Sequence, residues 1–410
     1  MRDPRNEDVV TEHTRPRRLR SRLLALGATA LLTAATLAVA PGPSSAAAGP
    51  DCSGQYKIDR RQANGARWTM CWRVRARQGL TLDNVTYTPR GGQPHRVLAS
   101  AALAQIYVAY DAGTTEFNDL GAFGDATLPL RPPDCPGGEL RAQRGAKLLC
   151  LQVKPRGYAY KSSSTEPGSA RNQLQGTELV LFTAAPIGWY TYITQWRFAD
   201  DGTITAEEGA TGSLSPGNFT NARTGWPIGR DSTRFSENHT HNVFWRLDFD
   251  VEGTRNDVVQ QFDVTGNGTP VRQLKKTVLD AEGGSKAAPM RFWRVADKNV
   301  RNADHHQVSW DVDVRDTDQV RGDHAHAFTH KDLWLTQYRE CEELVADNAD
   351  GRCANSVDKF VNGERLTDPV VWVQVDFHHV PRDEDEDPMP IHWQGFKIVP
   401  RDVTATSTLP

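Results

Sequence analysis

Apolar and polar positions alternate along most of this chain, in short runs rich in Val, Ile, Thr, Tyr, Phe and Trp. A period of two places successive side chains on opposite faces of an extended backbone, so each run predicts a β-strand. The clearest are GLTLDNVTY (79–87), QIYVAY (105–110), ELVLF (178–182), YTYITQWRF (190–198), VFWRLDFDV (243–251), RFWRV (291–295), QVSWDVDV (307–314), DLWLTQY (332–338), VVWVQVDF (370–377) and GFKIV (395–399). Clusters of Gly, Pro, Asn and Asp separate them, as tight turns require. Helical periodicity is almost absent, and no internal repeat is visible. The pattern predicts an all-β, mainly antiparallel fold, a large β-sandwich rather than an alternating α/β sheet. The Gly- and Ser-rich stretch 161–176 and the acidic RDEDEDP (382–388) are expected to be loops. No linker divides the chain after its first fifty residues.

Those first residues break the pattern. A basic RPRRLRSR is followed by the weakly apolar LLALGATALLTAATLAVA and by the small-residue run PGPSSAAAGP. This order predicts a secretory signal over residues 1–48, cleaved after Ala46-Ala47-Ala48, and a mature domain over 49–410. A membrane anchor is the competing reading, but Ala, Thr and Gly make the segment a poor span. A secreted protein without stable membrane insertion is expected. Arg17-Arg18 hints at twin-arginine export. Removing 1–48 takes away seven arginines and four acids, so the formal charge moves from -3 to -6, which excludes a charge-driven nucleic-acid binder. With 38% hydrophobic residues in 410, the chain has material for a large core. Its six cysteines, an even number in an exported chain, predict disulfides, and their order favours Cys52 with Cys71, Cys135 with Cys150 and Cys341 with Cys353.

Candidate chemistry enters through the same parity. In NHTHNVFWRLDFD the odd positions are His239, His241, Val243, Trp245, Leu247 and Phe249, so two histidines extend an apolar face. Buried imidazoles need partners, since each unpaired buried polar group costs about 1–3 kcal/mol. A metal ion is one solution and hydrogen-bonded core histidines are the other. In VVWVQVDFHHV, Val371, Val373, Val375 and Phe377 lead to His379, while His378 falls on the opposite face. Three imidazoles from two strands make a plausible metal shell with open positions, for which copper(II) competes better than zinc. Asp248, Asp250 and Asp368 lie on the other faces and form either a separate all-oxygen site for a calcium-type ion or solvated strand ends. A further set, His324, His326 and His330 in DHAHAFTH, has metal-compatible spacing but reads better as a solvated loop.

These stretches resemble the copper-containing, quinone-dependent amine oxidases. NHTHNVFWRLDFDVEGTRNDVV resembles that family's copper-ligand strand and FHHVPRDEDEDPMP the segment bringing its third histidine; RQGLTLDNVTY, TYITQWRFADDGTITAEEGATG, HAFTHKDLWLTQY and GFKIVP follow the family in order. The resemblance covers the catalytic domain alone, over roughly residues 60–400. It implies copper on His239, His241 and His379, and a peripheral calcium-type site on Asp248, Asp250 and Asp368. It implies a catalytic base at Asp119 in the turn DLGAFG, and places Tyr110 beside the cofactor. CPGGELRAQRGAKLLC resembles the family's buried disulfide. The cofactor, topaquinone, is implied to form from Tyr190 by oxidation with O2, although Pro186, Trp189 and Thr191 stand where the family has Thr, Asn and an acid. The activity so implied is oxidation of primary amines to aldehydes, with release of ammonia and hydrogen peroxide, by a homodimer. The alternatives are a copper- or zinc-binding homologue that has lost the quinone and, further off, a zinc-type hydrolase.

Overall fold

Each of the ten alternating runs falls largely within a strand of a computed structural model. It describes residues 52–408 apart from 114, 163–171, 216, 219–221, 233, 254–255, 267, 269 and 316–325. Among the described residues one antiparallel sheet has nine strands, a second has ten and a small third has three. Five strands build the site: β1 (His95–Tyr110), β2 (Tyr190–Ala199), β3 (His239–Phe249), β4 (Pro369–His379) and β5 (Met389–Arg401). In the nine-stranded sheet β3 lies between β1 and β4; in the ten-stranded sheet β2 and β5 flank the strand Ile204–Gly212.

The inward faces of the two large sheets meet in one core. Odd positions of β3 and β4 (Val243, Trp245, Leu247, Val371, Val373, Val375) pack with even positions of β2 and β5 (Tyr192, Trp196, Phe198, Phe396, Ile398). Trp245 meets Phe396 edge-on at 5.2 Å, and Trp68 meets Phe198 at 5.0 Å. Removing one such fully buried ring costs about 3–5 kcal/mol, so these contacts fix the spacing of the sheets.

The other face of the nine-stranded sheet is covered as well. Phe244 and Trp372 join Phe328, Val345, Val357 and Phe360 in a second cluster, and every position of β3 is buried. Asp248 and Asp250 are buried, at 7% and 0% exposure, so the solvated-end reading fails for these two, while Asp368 is half-buried.

The stretch 161–176 is less of a loop than its composition predicts. The strands Ala146–Ser162 and Asn172–Ile187 pair up to Ser162 opposite Asn172, because backbone hydrogen bonding tolerates their Gly and Ser. Only 163–171, outside the described residues, lies between them. RDEDEDP does form a turn, around the 3-10 segment Asp383–Asp385. The disulfides are Cys52–Cys71, Cys135–Cys150 and Cys341–Cys353, the pairs that chain order favours.

Candidate metal centre

His239 pairs across the sheet with Tyr110 on one side and His379 on the other, which brings the ends of β1, β3 and β4 together. His239, His241 and His379 point to the same inward face, all buried, with donor atoms within 4.8 Å of one another. The parity expectation holds, and His378 leaves by the other face to meet Asp111 at 3.0 Å.

A second hydrogen bond at each ring decides which nitrogen faces the centre. The carbonyl of Glu237 accepts from His239 Nδ1 at 2.8 Å, leaving Nε2 with a lone pair. Asp385 accepts from His379 Nε2 at 3.0 Å, leaving Nδ1. The hydroxyl of Tyr192 lies 3.3 Å from His241 Nδ1 and gives its own proton to Asp119 at 2.7 Å, so Nδ1 of His241 is the donor. His241 Nε2 is then a buried lone pair with no hydrogen-bond partner among the described residues. Burial holds the conjugate acid of His239 down to about 3 and that of His241 far below its ordinary value, and lowers His379 too. Three neutral imidazoles with converging lone pairs, one otherwise unsatisfied, fit a borderline divalent metal such as copper(II).

Tyr190 approaches from the opposite sheet. It follows a two-residue turn, Gly188-Trp189, in which Gly188 takes φ of +58°, accessible to glycine at no steric cost. The hydroxyl of Tyr190 donates to His239 Nε2 at 2.7 Å and lies 3.5 Å from His379 Nδ1. Burial pushes its phenol well above the ordinary range. Trp189 is 45% exposed and lies edge-on to Phe117 at 6.5 Å rather than against the histidines. Its bulk therefore does not displace Tyr190 from the histidines.

Asp119 opens the turn of DLGAFG. Gln105 of β1 accepts from the backbone N–H of Leu120 at 3.1 Å, and a Cβ at Gly124 would sit 1.7 Å from the carbonyl of Arg75, so only glycine closes this turn. Burial raises the Asp119 carboxyl to about 6, against the opposing hydrogen bond from Tyr192. Tyr192 also stacks on Tyr190 at 5.8 Å, connecting the carboxylate, the tyrosine and His241. Tyr110 stacks on His239 at 4.9 Å.

Over residues 57–407 the chain matches the family model "Copper amine oxidase, enzyme domain". The chain belongs to this family. It is 29% identical over 388 residues to Primary amine oxidase 2 of Arabidopsis thaliana, covering 84% of this chain and 58% of that one. It is 25% identical over 395 residues to the primary amine oxidase of Klebsiella aerogenes, covering 82% and 51%. The chain thus spans little more than half the length of these relatives. A copper-containing benzylamine oxidase from Hansenula polymorpha shares the fold, with a TM-score of 0.73 at 21% identity over 88% of this chain and 62% of that one.

The structure gathers His239, His241, His379, Tyr190, Asp119 and Tyr110 into one site. Sequence reading missed Tyr192, whose even parity with Tyr190 was the available signal, and Asp385, hidden in an acidic run. Asp248, Asp250 and Asp368 are elsewhere, and among the described residues they do not form a compact ligand set. Ser100 donates to Asp248 at 3.4 Å, and Arg96 pairs with Asp250. Asp257 is in the same region: burial first, then the charges of Asp250, Asp297 and Asp368, push its carboxyl up to about 8. Of the competing histidines, His324 lies outside the described residues, His330 is exposed, and His326 meets Glu116 at 3.0 Å.

Proposed function

We propose that this chain oxidises primary amines to aldehydes with release of ammonia and hydrogen peroxide, using copper on His239, His241 and His379 and a topaquinone formed from Tyr190. The observation that carries the reading is the Tyr190 hydroxyl at 2.7 Å from a metal-facing lone pair of His239. When bound, copper and the quinone supply the electron sink and the route of electrons to O2. The chain's own residues do the rest. Neutral imidazoles hold the metal, and their outer hydrogen bonds fix its approach. Asp119, with its carboxyl near 6, is a base matched to neutral pH and takes the proton from the substrate carbon. Tyr192 steadies that carboxylate, and Tyr110 limits rotation of His239 by stacking. The departures at Pro186, Trp189 and Thr191 reduce how firmly the finished ring is held, so slow conversion and a narrow amine range are expected.

Loading the metal-free chain with copper in air tests this. The peptide containing Tyr190 should gain oxygen and lose hydrogens, and a visible band should appear, shift with phenylhydrazine and be absent in Tyr190→Phe. An unmodified Tyr190 with copper fully bound would replace the oxidase by the metal-binding, non-catalytic alternative. We propose as well a calcium-type ion near Asp248, Asp250 and Asp368, supported by the charges of Asp250, Asp297 and Asp368 acting on the buried Asp257, and export as a secreted protein, supported by three disulfides. Homodimer formation is proposed on the family resemblance.

A further inference from the structure

His379 is bonded on both sides. Its Nδ1 faces the centre already described, while its Nε2 faces outward to Asp385, whose second oxygen meets His392 Nε2 at 3.1 Å. His379, Asp385 and His392 are a second set of donors whose ligand atoms all lie within 4.8 Å of one another. We propose that they form a second metal site that shares His379 with the first, taking a borderline divalent ion of the zinc class. The proposal rests on the copper reading of His239, His241 and His379 for its bridge, because His379 would then serve one ion through each nitrogen.

The set is built on firm elements. His379 ends β4, His392 lies in β5, and Asp385 closes the 3-10 turn between them at 1% exposure. Phe377 packs against both rings, 5.5 Å from His379 and 5.1 Å from His392, and the two imidazoles lie 4.6 Å apart. Two imidazoles and one carboxylate, with water completing a tetrahedron, are a common zinc donor set. His392 is partly exposed, which gives an ion its entry. In the metal-free state the same atoms are held by protons: His379 and His392 donate to the carboxylate, and Arg382 donates its backbone N–H at 3.1 Å and its side chain at 3.4 Å. The Arg382 side chain is more than half exposed and can turn to solvent. Binding replaces the two imidazole N–H···O bonds by metal–ligand bonds. The Nε2 proton of His379 is released to water and the Nε2 proton of His392 passes through water to its own Nδ1, so that His392 binds as the neutral ring; one proton is exchanged for the metal with no change of oxidation state.

The test is metal content after equilibration of the full chain with copper(II) and then zinc(II), followed by dialysis, together with the copper electron paramagnetic resonance spectrum. The wild type should retain two equivalents, and zinc should alter the copper spectrum through the shared ring. His392→Phe, which keeps the packing on Phe377, and His392→Gln, which can still donate to Asp385, should each retain one equivalent and a spectrum indifferent to zinc. A single equivalent that survives in His392→Phe but is lost in His239→Ala overturns the second site and leaves the first. A single equivalent lost in His392→Phe and kept in His239→Ala overturns the three-histidine reading and with it the shared His379, leaving one ion on His379, Asp385 and His392. Two equivalents in both His392 variants would place the extra ion elsewhere and also overturn the proposal.

Discussion

Tyr192→Phe removes one oxygen and should move two measurable properties in stated directions. In the wild type that hydroxyl donates to Asp119 at 2.7 Å and accepts from His241 Nδ1 at 3.3 Å. A hydrogen bond to a charged group contributes about 1.5–3 kcal/mol, and each 1.36 kcal/mol corresponds to one pH unit, so complete loss would raise the Asp119 carboxyl by about 1 to 2 pH units. Water entering the space left by the hydroxyl recovers part of this, and a rise of about 1 is expected. The sign follows from the proton: the bond stabilises the carboxylate, so losing it favours the acid and adds to the burial that already holds the group at about 6. The acid limb of kcat/KM against pH, measured with a saturable primary amine, should therefore shift upward. His241 loses the acceptor that fixes its tautomer, and copper affinity, measured by chelator competition, should fall about 10- to 100-fold. An acid limb that stays in place or moves down, in a folded and copper-loaded variant, would refute the role given to Tyr192.

The remaining predictions are more direct. His379→Ala should abolish stoichiometric copper binding while His378→Ala leaves it nearly intact, since the two rings leave opposite faces of β4; equal copper content in folded samples of both would remove the assignment. Asp119→Asn should lose amine turnover by at least 100-fold yet still react with phenylhydrazine, because shape is kept and basicity is lost; unchanged turnover would remove Asp119 from the chemistry. Asp248→Ala should lower calcium binding and spare copper, read by metal analysis of the same sample. Copper loss alone would contradict two independent ion sites.

Strand parity is local, and it was enough to find much of this protein. Alternation over 239–249 and 370–379 set His239, His241 and His379 on apolar faces and sent His378 away, because successive side chains of any extended chain must leave opposite sides. The strands and the cysteine order were legible for similarly local reasons. Parity could not say that both faces of β3 are buried, since covering by the segment carrying Phe328 and Phe360 depends on chain far away in sequence. Nor could it place Tyr190 on the histidines or join Tyr192 to Asp119: those contacts bridge two sheets, and only the packing of Trp245, Phe396 and their neighbours brings the sheets to that distance. RDEDEDP shows the same limit in reverse. Its composition reads as solvated turn, yet Asp385 is buried because two histidines from flanking strands satisfy its oxygens. Which residues can face inward was fixed by the covalent geometry of a strand; which of them meet was fixed by register and sheet packing, where the free energy of burial selects among pairings that no local pattern distinguishes.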